Sequence, residues 1–173
     1  IGPAKARPFH HDPADGWGGF YHPFNWRGFW DFGCGALGDM ACHNLDPIYW
    51  ALEPGYPTEI ELMDGKAFGD APMYVKNTTV RFHFPAKGDR PAFELYWHDG
   101  GNKPARPEEL PKGENLPDQG GLYIGTKGKL YAKGDSRNFP KLLPESMNKE
   151  YGRPEQQIER SAEGHHKEWY LAC

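Results

Sequence analysis

The residues with the most chemical potential are Asp39, His43 and Asp46, within the stretch GALGDMACHNLDPIYWAL at 35–52. Their spacing is Asp-x-x-x-His-x-x-Asp. On a helix, positions i, i+4 and i+7 fall on one narrow strip. An imidazole titrates near neutrality, so it can take a proton from a hydroxyl at working pH. A carboxylate one turn away favours the protonated ring and selects which ring nitrogen is free. The same pattern also fits an ordinary surface pair contributing about 0.2–0.5 kcal/mol, and on spacing alone that is the commoner outcome. A metal centre built from Asp39, His43, Asp46 and Cys42 lacks a convincing remainder of its shell, so no metal is assigned.

These side chains need a scaffold, and the surrounding pattern supplies one. Leu37, Met40, Ala41, Leu45, Ile48 and Leu52 recur at helical spacing and predict a helix over 35–52, with a kink expected at Pro47. Gly33, Gly35 and Gly38 allow another segment or a ligand to approach its start. The stretch before it, residues 1–30, is rich in Pro, Gly, His and aromatics without a period. It reads as an irregular segment, either an aromatic clamp over the core or a ligand wall. His10 and His11 are expected in solvent.

Beyond Pro57 the period becomes 2. Ile60 and Leu62, then Val80, Phe82 and Phe84, then Phe93, Leu95 and Trp97 alternate with polar residues, predicting strands with one apolar face. Residues 85–91 read as a hairpin connection, 99–120 as a long functional or mobile loop, and 121–132 as a tight hairpin. Pro140, Pro144 and Pro154 exclude a long helix over 133–160. A closing helix begins at His165, with Trp169 expected in the core. The sum is an α+β fold, a mostly antiparallel open sheet with helices packed on one face. The other sheet face needs cover, and a homo-oligomer formed through it is the expected solution.

Length and composition set outer limits. A chain of 173 residues fits one domain. It holds 22 Gly and 17 Pro, and the 10 Phe, 9 Tyr and 6 Trp interleaved with them argue for a folded, turn-rich domain over disorder. No apolar run is long enough to span a membrane. The net charge of −4 and scattered Lys and Arg offer no stripe for nucleic acid. Cys34, Cys42 and Cys173 form no disulfide framework. Gly125 is followed by Thr126 and then Lys127, which fails the phosphate-loop pattern, and no dinucleotide fingerprint occurs. The chain begins at Ile1 without Met and stops at Cys173 inside a helical pattern. We therefore expect a single domain over 1–173, truncated at both ends.

Longer motifs narrow the class. The segment His22-Pro23-Phe24-Asn25-Trp26-Arg27-Gly28-Phe29-Trp30-Asp31-Phe32-Gly33-Cys34-Gly35-Ala36-Leu37-Gly38-Asp39-Met40-Ala41-Cys42-His43 resembles the C-terminal domain of bacterial, sugar-directed Gfo/Idh/MocA oxidoreductases. The resemblance continues through Tyr96-Trp97-His98-Asp99-Gly100-Gly101, Pro104-Ala105-Arg106-Pro107 and Gly125-Thr126-Lys127-Gly128-Lys129-Leu130. It ends with Leu143-Pro144-Glu145-Ser146 and the helix Gly164-His165-His166-Lys167-Glu168-Trp169, so it spans nearly the whole chain.

The resemblance implies a parent enzyme whose N-terminal Rossmann domain, absent from this sequence, binds NAD or NADP. This domain would supply the substrate side and an oligomer interface. The family's D-x-x-x-H falls on Asp39 and His43, with His43 as acid/base and Asp39 as its orienting partner. Trp26, Arg27 and Trp30 would line the substrate cleft, with Asp46 on the same strip. The implied substrate is a sugar or polyol. The family's catalytic Lys lies in the Rossmann domain, so the isolated chain is expected to be inactive. An NAD-dependent glycoside hydrolase needs the same pair, and a non-catalytic assembly or carbohydrate-binding module is the non-enzyme alternative. Family members may be exported in folded form, so cytoplasm and periplasm both stay open.

Overall fold

A computed structural model describes residues 4–9, 21–66, 72–134, 140–159 and 161–173. The expected solvent position of His10 and His11 lies outside them. A 3-10 turn at Pro23–Gly28 leads into helix α1, Gly35–Leu52. Strands β1 (Glu59–Lys66), β2 (Asn77–Phe84) and β3 (Phe93–His98) follow. After a long connection come β4 (Gly120–Gly125), β5 (Gly128–Lys133) and β6 (Lys141–Leu143), then α2 (Glu145–Tyr151) and α3 (His165–Ala172).

Helix α1 has the bounds its apolar spacing predicts and runs through Pro47. It ends where Glu53 takes a left-handed conformation (φ 42°) and donates its N–H to the Tyr49 carbonyl at 3.1 Å. Pro54 cannot prolong the helix. Lys87 Nζ donates to the Glu53 carbonyl at 2.9 Å, supplying a cation where the last turn has none of its own.

Among the described residues the strands all pair antiparallel, as their alternation predicts, and they form two three-stranded sheets, β1-β2-β3 and β4-β5-β6. The α+β class is therefore as the sequence predicts, with the single open sheet split in two. Residues 99–119 do not turn tightly back from β3: Asp99 ties their start to β2 and β3, and Arg106 binds carbonyls of the connection itself. Asp99 accepts from the Thr78 N–H at 2.5 Å and from Trp97 Nε1 at 2.9 Å. The Arg106 guanidinium donates to the carbonyls of Pro107, Leu110, Pro111 and Glu114 at 2.8–3.0 Å. The connection, expected to be functional or mobile, is tied to its own backbone through Arg106, and β4 pairs only with β5.

In the first sheet, Ile60, Phe82 and Leu95 stand in register across the strands, as do Leu62, Val80 and Trp97. Val80, Phe84, Leu95 and Trp97 are buried, and Phe84 stacks on Phe93 at 5.0 Å and meets Tyr49 of α1 edge-on at 6.3 Å. The opposite face is polar. Arg81 sits between Glu61 at 2.7 Å and Glu59 at 3.4 Å, and His83 Nδ1 lies 2.7 Å from Glu94. Every residue of edge strand β1 is exposed.

A second cluster, Leu110, Tyr131 and Leu143, joins the long connection to the second sheet. Asn148 of α2 closes the outer edge of β6, accepting from the Leu142 N–H at 2.7 Å and donating to its carbonyl at 2.8 Å. The hairpin reading of 121–132 holds, since β4 and β5 pair in register from Gly120 with Lys133 to Gly125 with Gly128. The closing helix forms from His165, but Trp169 is 72% exposed on it and is not a core residue. An apolar side chain on a short helix is buried only if another element packs there, which spacing does not report. Among the described residues no helix is long and apolar enough to cross a membrane.

Candidate functional site

Two different surfaces of α1 compete for attention. Its apolar side, with Ala36, Met40, Ile48 and Leu52, faces β3 and β4 across a cavity of about 770 Å³. Asp39, His43 and Asp46 do not line that cavity, nor do Trp26, Arg27 and Trp30. All six belong to the other side of the helix and to the turn that precedes it.

That turn carries the side chains to the helix. The Arg27 guanidinium lies 4.1 Å from the centroid of Phe24, and its Nε donates to the Phe24 carbonyl at 2.9 Å. Its Nη1 forms a hydrogen-bonded ion pair with Asp39 Oδ2. The close approach depends on Gly33, where a Cβ would lie 2.4 Å from the Arg27 Cα. Asp39 is half-buried by this contact, whereas His43 and Asp46 are exposed.

The expected carboxylate–imidazole hydrogen bond is not among the contacts of Asp39; its partner is Arg27. Oδ2 is taken, and Oδ1 is left for another donor. His43 and Asp46 make no hydrogen bond or ion pair among the described residues, so the imidazole is open to an incoming group. No group of three or more His, Cys, Asp or Glu side chains among the described residues could hold a metal ion.

The aromatics separate in role. Trp26 gives its indole N–H to the Tyr21 carbonyl at 2.9 Å and packs on Phe32 with centroids 6.1 Å apart. Phe29 is buried beside it, against Tyr21 at 5.4 Å and Phe32 at 5.8 Å. These rings form the aromatic clamp that sequence reading allowed. Trp30 differs. It is 60% exposed and stacks on Tyr74 with centroids 4.0 Å apart. Tyr74 carries no periodic or motif signal, and sequence reasoning missed it. Only its position in APMYVK, after the first strand, hinted at a side chain free to cross over.

Elsewhere, His98 sits at the cavity beside β4, its Nδ1 3.2 Å from Thr79 Oγ1. Burial lowers its pKa from the ordinary imidazole value, against the opposing pull of Asp99.

Comparison with known sequences meets this geometry. The family model described as "Oxidoreductase family, C-terminal alpha/beta domain", of the Gfo/Idh/MocA group, matches residues 1–169. No curated protein matches the chain.

Proposed function

The chain belongs to the Gfo/Idh/MocA oxidoreductase family, as its C-terminal α/β domain, and on that premise we propose that it is the substrate side of an NAD(P)-dependent enzyme acting on a sugar or polyol hydroxyl. His43 is the acid/base. The observation that carries this reading is an exposed imidazole, without a hydrogen-bond partner among the described residues, one turn beyond a carboxylate that Arg27 holds in place. Such a ring can accept the hydroxyl proton as the carbinol carbon is oxidised, and return it in the reverse direction. In this reading Asp39, held by Arg27, is the orienting carboxylate for the ring or the substrate. Asp46 follows on the same helix strip, and Trp30 stands in the aromatic segment that precedes the helix.

The cofactor does not fit these residues. Among the described strands all pairings are antiparallel, and the glycine-rich turn at 125–128 joins two of them instead of a strand and a helix. The nicotinamide dinucleotide that accepts the hydride would be held outside the described residues. A second copy of the chain would pack on the polar face of the first sheet, where Tyr96 and His98 stack beside Arg81 and Glu94.

The test is replacement of His43 by Ala in the intact gene product, assayed for NAD(P) reduction with sugars and polyols. Turnover is expected to fall by about 10²–10⁴-fold, with the denaturation midpoint unchanged because the side chain is exposed. Undiminished turnover would remove the acid/base role. Glycoside cleavage without net cofactor reduction would replace the dehydrogenase with a hydrolase.

A further inference from the structure

We propose that the cavity between the apolar side of α1 and the facing strands β3 and β4 binds a neutral, ring-sized apolar molecule that carries a hydroxyl group. This site is separate from the strip of Asp39 and His43 on the other side of the helix. Asn44 and Tyr131 supply its polar contacts.

The wall that α1 presents is one ridge of the helix. Ala36, Met40, Asn44, Ile48 and Leu52 follow one another at i+4 intervals, and all five line the cavity. Four are apolar, and the amide of Asn44 stands in the middle. Across from them are Trp97 of β3 and Leu122 of β4. β3 ends one sheet and β4 begins the other, so among the described residues no ladder closes the space between them. Its volume of about 770 Å³ falls in the range of roughly 300–1,000 Å³ that small-molecule sites occupy. Water in that space leaves the apolar ridge wet, whereas an apolar molecule removes it from water.

Two polar atoms in these walls call for more than an apolar filling. Asn44 Oδ1 is buried and has no hydrogen-bond partner among the described residues. Tyr131 reaches the cavity from β5 at 4% exposure, and its hydroxyl is likewise buried and without a partner among them. A buried polar atom left unpaired destabilises the fold unless something meets it. The amide oxygen requires a donor. Burial, reinforced by the charge of Glu114, pushes the Tyr131 phenol up, so it stays protonated and can donate as well as accept. A single hydroxyl offers both a donor and an acceptor. The charged side chains around the cavity are already matched. Lys103 pairs with Asp118 at 2.7 Å, Glu94 lies 2.7 Å from His83, and Asp99 takes the Thr78 N–H and Trp97 Nε1. Burial lowers the pKa of His98, which keeps that ring neutral near pH 7. Nothing in the walls asks for a charged ligand.

The experiment is calorimetric titration of the intact gene product with thymol and with thymol methyl ether, which keeps the ring and an acceptor but has no donor. Thymol is expected to bind about tenfold or more tightly than its ether. Asn44→Leu should abolish that preference and raise the denaturation midpoint of the free protein, because no amide is left unpaired. Tyr131→Phe should weaken thymol about threefold or more and leave the free protein's midpoint unchanged, since the hydroxyl holds nothing in the fold. His43→Ala should bind thymol as the parent does. Failure of both probes to bind means that the cavity is filled or closed in the intact protein, and overturns the proposal. Equal affinity for the two probes overturns it as well, as does an unmoved thymol affinity in Asn44→Leu and Tyr131→Phe, or loss of binding in His43→Ala. The result stands apart from the functional reading: a fully active His43→Ala that still prefers thymol removes the acid/base and keeps this site.

Discussion

The Arg27 guanidinium reaches from the 3-10 turn to the Asp39 carboxylate in the second turn of α1, and the same guanidinium is held by the ring and carbonyl of Phe24. One cation thus fixes the angle between the aromatic segment and the helix that bears His43. Both partners are partly exposed, so the pair is a minor term in stability and a larger one in placement.

Replacing Arg27 with Met is expected to cost only about 0.2–1 kcal/mol in urea unfolding. Turnover of the intact protein should fall by about 10–100-fold, since Asp39 loses its fixed position. Arg27→Lys should recover part of the turnover at most, because an ammonium cannot serve Phe24 and Asp39 together. Full activity in Arg27→Met would show that Asp39 needs no clamp.

Gly35→Ala should destabilise by about 2 kcal/mol or more, combining a left-handed backbone (φ 71°) with a collision against the Tyr74 ring. In a Tyr74→Ala background the cost should shrink to the backbone part alone. A double-mutant cycle by denaturant unfolding measures the coupling. Additive losses would mean that ring and helix do not touch.

Burial separates two apolar positions on one sheet face. Phe84→Ala, at a side chain 1% exposed, is expected to cost about 3–5 kcal/mol. Ile60→Ala on the exposed edge strand should stay within about 0.5 kcal/mol. Comparable losses would show that β1 is covered in solution, as a second copy on that edge would produce.

His98 gives the fold a pH dependence of definite sign. Its folded pKa lies below the ordinary imidazole value. Above that value both states are neutral and the residue contributes nothing. As pH falls below it the unfolded chain takes up the proton first, and stability declines until the folded pKa is passed. His98→Asn should flatten this part of the curve while keeping a polar contact to Thr79, read by urea unfolding between pH 5 and 7.5. A slope unchanged in the variant would assign the effect to another group.

What could be read from sequence was what repeats. The α1 bounds follow from apolar spacing, and β1 to β3 follow from strict alternation, because periodic burial leaves a periodic trace. Helical spacing placed Asp39, His43 and Asp46 on one strip, and the family resemblance supplied the roles expected of the first two. Contacts made across the chain left no such trace. The Arg27–Asp39 pair joins residues twelve positions apart through a turn whose bend depends on Gly33. Tyr74 reaches Trp30 through a two-residue bridge too short to show a period. The division into two sheets was equally hidden, since alternation marks a strand without naming its partner.

That connection has an evolutionary implication. Arg106 grips main-chain oxygens, which every residue type supplies alike. Exposed positions such as 108, 111, 112 and 114 can therefore drift in identity with little change of contour, while Leu110 stays tied to the cluster with Tyr131 and Leu143 and the guanidinium at 106 holds the path of the chain. A library randomising those exposed positions should recover many folded solutions, nearly all of them sharing an unaltered guanidinium at 106 and an apolar residue at 110.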